Sequence, residues 1–198
     1  MKSTLVDLLG RRNVLSFFVS EGLVRRFVTT VDNLANEQAP SRLWPVNPTS
    51  GSFVIDPQSG AAGGANARRY SAFLRLAETV DARRAVAVYV HLYPLFQQAY
   101  EELGYSGRAF NDRVIQVIDH LLDTPDLSDP AQVRMVEVKG ATRPLYQFLD
   151  PALESRSAGQ KILLRMGPDN AARLKAKLTE LRQALTDRKP GATRKKRR

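Results

Sequence analysis

Asp112, Asp119, His120 and Asp123 crowd a twelve-residue stretch near the middle of the chain. Asp112 and Asp119 are seven positions apart, two turns along nearly one helix face. Two carboxylates beside a histidine can share acid–base work or hold a cation. Asp112, Asp119 and His120 are therefore the candidate catalytic residues, for a hydrolase or a cation-binding site. The same residues also suit a plain helix: Asp112 at its positive start, His120 in its final turn, Asp119 and Asp123 solvated. Both readings stay open from the residues alone.

Other chemistries find less. The glycine-rich run Gly60 to Gly64 lacks the lysine of a phosphate cradle and the spacing of a dinucleotide turn, so it reads as a flexible loop. Gly104-Tyr105-Ser106-Gly107-Arg108 resembles a nucleophile elbow but has Arg108 where the second glycine belongs, and it follows a helix. His91 and His120 are 29 positions apart, outside any paired-histidine metal spacing. With no cysteine, thiolate metal sites, thiol nucleophiles and disulfides are excluded. The expectation is a non-enzymatic chain with no cofactor and no metal.

Charge offers a second kind of function. The net charge is +10, yet residues 188–198 hold seven of the thirty lysines and arginines, leaving +3 for residues 1–187. Arg194, Lys195, Lys196, Arg197 and Arg198 form a polyanion-binding candidate, for nucleic acid or an anionic membrane surface, with strong salt dependence. Arginine pairs at Arg11-Arg12, Arg25-Arg26, Arg68-Arg69 and Arg83-Arg84 would strengthen such a surface if they shared a face.

These residues need positioning elements. Short helices are expected over Thr4 to Leu9 and Val14 to Val19, and Ser20 reads as the N-cap of a helix carrying Leu23, Phe27, Val31 and Leu34 on one face. Prolines and glycines break residues 37–65, where Arg42–Val46 and Phe53–Ile55 are expected to pair as a small hairpin. Helices follow from Asn66 to Thr79, from an Asp81 cap through Pro94 to Gly104, and from an Asn111 cap to Leu122, the last expected to be the most buried. Val133–Val138 and Leu145–Phe148 read as strands. Ser157 caps a short helix, Gly167-Pro168 joins it to a final one, and Leu174, Leu178, Leu181 and Leu185 share its seam. On that last helix Arg173, Lys175, Lys177, Glu180 and Arg182 are expected to face outward. The fold class is mainly α: one helical domain, residues 1–187, of six to eight helices with one or two small hairpins, then a disordered basic tail at 188–198.

Five stretches together carry a family resemblance: LVRRFVTTVDNLA, RLWPVNP, YPLFQQAYEELGY, FNDRVIQVIDHLLDTP and YQFLDPALESRSAGQKILLRMGPDNAARLKAKL. They resemble a bacterial family designated Domain of Unknown Function 3014, over about residues 5–185, with the SAGQK-to-GPDNA stretch the most specific. Members of that family typically begin with a transmembrane helix and a Pro-rich linker, so the resemblance implies inner-membrane anchoring. The chain as written lacks both and reads as cytoplasmic. The resemblance implies no activity or site residue. The expected function is a helical protein-interaction domain of the bacterial inner membrane or envelope, with a protein as its partner.

Overall fold

The computed structural model describes residues 2–62, 64–137 and 145–188. The basic cluster Arg194, Lys195, Lys196, Arg197 and Arg198, together with Val138 of the first expected strand, lies outside them.

The described residues form nine α-helices and one antiparallel hairpin: α1 Lys2–Leu9, α2 Arg11–Phe17, α3 Leu23–Leu34, α4 Gly64–Thr79, α5 Ala82–Glu102, α6 Phe110–Leu122, β1 Val133–Val136, β2 Leu145–Phe148, α7 Pro151–Glu154, α8 Ala158–Met166 and α9 Pro168–Asp187. The mainly helical single domain expected from sequence is what forms. The unexpected helix is α7, a single turn begun by Asp150, whose carboxylate accepts the Ala152 N–H at 2.8 Å.

Several ends follow from local chemistry. Asp81 caps α5 by accepting the Arg84 N–H at 2.7 Å, and Ser157 caps α8 by accepting the Gln160 N–H at 3.3 Å. Gly167 ends α8 and starts α9 at φ 87°, a backbone region that disfavours side chains, and Pro168 opens α9 with its preset φ. Helix α5 runs unbroken across Pro94.

Other ends are tertiary, and there the structure corrects the sequence reading. Ser20 does not cap α3; Gly22, in the left-handed region at φ 60°, turns the chain into that helix. Asn111 does not cap α6 but lies buried inside its first turn. The cap comes from α5, where Gln97 Oε1 accepts the Phe110 N–H at 2.8 Å and the Tyr93 hydroxyl accepts the Asn111 N–H at 3.5 Å. The hairpin expected between Arg42–Val46 and Phe53–Ile55 does not form. Ser41–Leu43 is a 3-10 turn, and the chain after it pairs with the end of α2, through Val19 N–H to Pro45 C=O at 2.9 Å and Asn47 N–H to Phe17 C=O at 2.8 Å. Val54 meets the fully buried Asn66 of α4, whose Oδ1 accepts the Val54 N–H at 2.9 Å and whose amide donates to the Val54 carbonyl. Nor are residues 60–62 a free loop: Ala62 N–H donates to Ala131 C=O at 3.2 Å, Val133 N–H to Gly60 C=O at 3.0 Å, and both Ala61 and Ala62 are buried.

The main core lies where α3, α5, α6 and α9 meet, around Val28, Phe96, Tyr100 and Phe110. Phe27 and Phe96 touch there with ring centroids 5.1 Å apart. A smaller core joins the hairpin to α8 through Val133, Phe148 and Leu164. A third, of Val117, Leu121 and Leu163, seats α8 against α6. Helix α8 buries five of its nine residues against six of thirteen in α6, so α8 is the more buried of the two. The leucine seam of α9 faces these cores as expected. Two of its outward residues do not: the side chains of Lys175 and Lys177 are only 14% and 12% exposed. Lys177 Nζ donates to the Val80 carbonyl at 3.1 Å, just past α4, and Lys175 Nζ to the Thr124 carbonyl at 2.6 Å, just past α6. Each lysine neutralises the negative end of another helix.

Candidate functional site

The acidic cluster does not assemble. Asp119 pairs with Arg182 of α9, at 2.6 Å to Nε and 3.1 Å to Nη2, and that bond raises the arginine's pKa. His120 turns toward α8, where its Nε2 lies 2.9 Å from Ser157 Oγ. Asp112 is exposed in the first turn of α6, and Asp123 is exposed where the helix ends. Among the described residues no three histidine or carboxylate side chains converge as metal ligands. His91 is exposed on α5.

The arginine pairs do not share one role. Arg26 donates to the carbonyls of Glu21 at 3.0 Å and Arg42 at 2.5 Å, and Arg69 donates to the Ser50 carbonyl at 3.0 Å and Thr49 Oγ1 at 3.1 Å. Both pin the proline-rich segment between α3 and α4. Their neighbours Arg25 and Arg68, with Arg11, Arg12, Arg83 and Arg84, are exposed.

His120 instead belongs to a polar cleft of about 430 Å³ at the head of α8, with Glu37, Ser155, Arg156, Ser157 and Gln160. The cleft exists because α8 lies hard against α3 and α6. A Cβ on Gly159 would meet Leu121 Cδ2 at 2.6 Å and the Leu34 carbonyl oxygen at 2.7 Å, so glycine alone permits the approach. One backbone and one side-chain bond lock it: Ala158 N–H donates to Asn36 C=O at 2.8 Å, and Gln160 Nε2 donates to His120 C=O at 3.0 Å. Ser157 is 9% exposed, and its oxygen already serves the Gln160 N–H. The His120–Ser157 contact is thus first a clamp between α6 and the cap of α8. Sequence reading found Ser157 as a cap and His120 as a candidate. It missed Gln160 and Gly159, whose roles depend on which helices they touch.

The second concavity, of about 400 Å³, lies between α2, α3 and α5. Val14, Phe18, Val24, Leu95 and Ala99 supply its apolar surface, with Arg25 and Glu102 among its polar lining. Leu95 is 44% exposed although Leu92, Phe96 and Ala99 of the same helix are buried. Next to Val14 on α2, Leu15 is 59% exposed. The groove borders the start of α3 and the cleft its end, about 16–18 Å apart along a helix of this length.

Among the described residues no helix is long and apolar enough to cross a membrane. No curated protein and no solved structure matches the chain. A family model does, from the start of α3 into α9: the chain belongs to the family described as protein of unknown function (DUF3014), which matches residues 23–182.

Proposed function

We propose that this domain is a protein-interaction module rather than an enzyme, and that an apolar helical segment of a partner protein docks in the groove between α2, α3 and α5. The observation that carries the reading is Leu95, 44% exposed beside a groove whose apolar surface is already built. Helix-in-groove recognition uses such a face, with a few apolar anchors spaced along one side of the incoming helix. Burying the 44% of Leu95 that is still exposed contributes about 1 kcal/mol. Arg25 of α3 and Glu102 of α5 offer both signs of charge to residues flanking the partner's apolar stripe, which favours one orientation. Association with the bacterial inner membrane, implied by the family resemblance, belongs to the same proposal.

Photo-crosslinking in cells tests it, with a benzophenone side chain placed at Leu95 or, as a control, at the exposed Arg83 of the same helix. Position 95 should give a defined product whose partner residue maps to an amphipathic helix, recovered with the inner-membrane fraction. Arg25→Glu should weaken that product without unfolding the domain. The same products at both positions would overturn the docking proposal. A product of twice the chain's mass would replace the partner with a second copy, and recovery from the soluble fraction alone would remove the membrane association.

A further inference from the structure

We propose that the polar cleft at the head of α8 binds a zwitterion of the amino-acid or short-peptide class, its ammonium group at Glu37 and its carboxylate at Arg156. Both side chains line this one cleft. The six ion pairs among the described residues use neither of them. Elsewhere in the domain opposite charges brought close do pair, as Arg173 and Glu78 do at 2.6 Å. Glu37 and Arg156 do not pair with each other, although a backbone bond joins their two segments. Asn36, next to Glu37, accepts the N–H of Ala158, two residues beyond Arg156, at 2.8 Å. Glu37 and Arg156 thus bring opposite charges, neither of them in an ion pair among the described residues, to the lining of one cleft.

The rest of the cleft suits an uncharged polar middle. His120 is held at its ring by Ser157 and at its backbone by Gln160, so the polar floor is set before any ligand arrives. The amides of Ala158 and Gln160 in the first turn of α8 are already bonded, to Asn36 and Ser157. A volume of about 430 Å³ sits near the small end of ligand pockets, roughly 300–1,000 Å³. A simple anion would meet Arg156 but be repelled by Glu37, and a metal cation would meet the reverse. A ligand carrying both charges uses both residues. All of the cleft's lining residues fall inside the family-matched range, whereas the α2 wall of the apolar groove lies before it.

The test titrates the full ¹⁵N-labelled chain with L-alanyl-L-alanine, its N-acetyl form, its C-terminal amide and inorganic phosphate, following the amides of His120, Ser157 and Gln160. The free dipeptide should give saturable shifts, and blocking either terminus should weaken binding about tenfold, the loss of one charge-assisted contact. Glu37→Gln should erase the difference between the free and acetylated forms, and Arg156→Gln the difference between the free and amidated forms. Leu95→Glu should leave all of these shifts in place, so this site stands or falls separately from the groove. Absence of saturable shifts, equal binding of the blocked forms, or the same response to phosphate alone would overturn the zwitterion assignment.

Discussion

Replacing Gly159 with alanine tests how α8 is seated. The new methyl would lie 2.6 Å from Leu121 Cδ2, 2.7 Å from the Leu34 carbonyl oxygen and 3.1 Å from Leu34 Cβ. Leu121 can change rotamer, but the carbonyl belongs to the last turn of α3 and cannot rotate away. Overpacking of this kind costs about 1–3 kcal/mol, and here two neighbours are violated at once. Alanine's helix propensity returns at most about 1 kcal/mol. The net loss is therefore about 1–2 kcal/mol, or about 2–8 °C in melting temperature for a chain of this size. Gly64→Ala is the matched control, because its Cβ would meet only Arg68 Nη1, at 3.7 Å. It should be neutral or stabilising by up to about 1 kcal/mol. Urea unfolding followed by circular dichroism measures both variants. A Gly159→Ala protein as stable as the wild type would refute the close approach of α8, and with it the origin of the cleft.

Two further outcomes follow from named contacts. Asn66→Ala should cost about 1–2 kcal/mol, because Val54 loses both side-chain bonds but is half exposed and regains water. Hydrogen exchange at the Val54 amide should accelerate; unchanged protection would refute the role of Asn66 as a surrogate strand. The bond from Arg173 holds the Glu78 carboxyl below the usual glutamate range. Its stabilisation is thus fully present above the ordinary glutamate value and lost as pH falls through the lowered folded value. Glu78→Gln should lower the melting temperature slightly at neutral pH and converge with the wild type in acid. A difference that persists unchanged at low pH would show that the ion pair is not its source.

Residue patterning was enough for the elements built from near neighbours. The spacing of Leu23, Phe27, Val31 and Leu34 marks α3, Asp81 and Ser157 announce their helices, and Gly167-Pro168 marks a junction that forms as read. These signals act over three or four residues, so they survive without knowledge of the fold. The misread ends share the opposite property. The cap of α6 is a glutamine thirteen residues upstream of Phe110, and the partner of Val54 is an asparagine twelve residues downstream. No local pattern distinguishes such a glutamine or asparagine from a solvated one.

The candidate site divides in the same way. Sequence alone determined the helical class, the absence of thiol chemistry, the concentration of charge in the tail, and the presence of His120 and Ser157 as polar residues at helix ends. It also placed Asp112, Asp119 and His120 on one helix, but a shared helix is not a shared site. Asp119 turned to Arg182 of α9 and His120 to Ser157 of α8, because each found a complementary group on a different neighbouring helix. Only the tertiary structure decided that Glu37 and Arg156, 119 positions apart in the chain, line one cleft, and that Leu95 lies on the side of α5 left open. The physical reason is packing: Gly159 lets α8 close on α3, and that contact sets which polar groups meet.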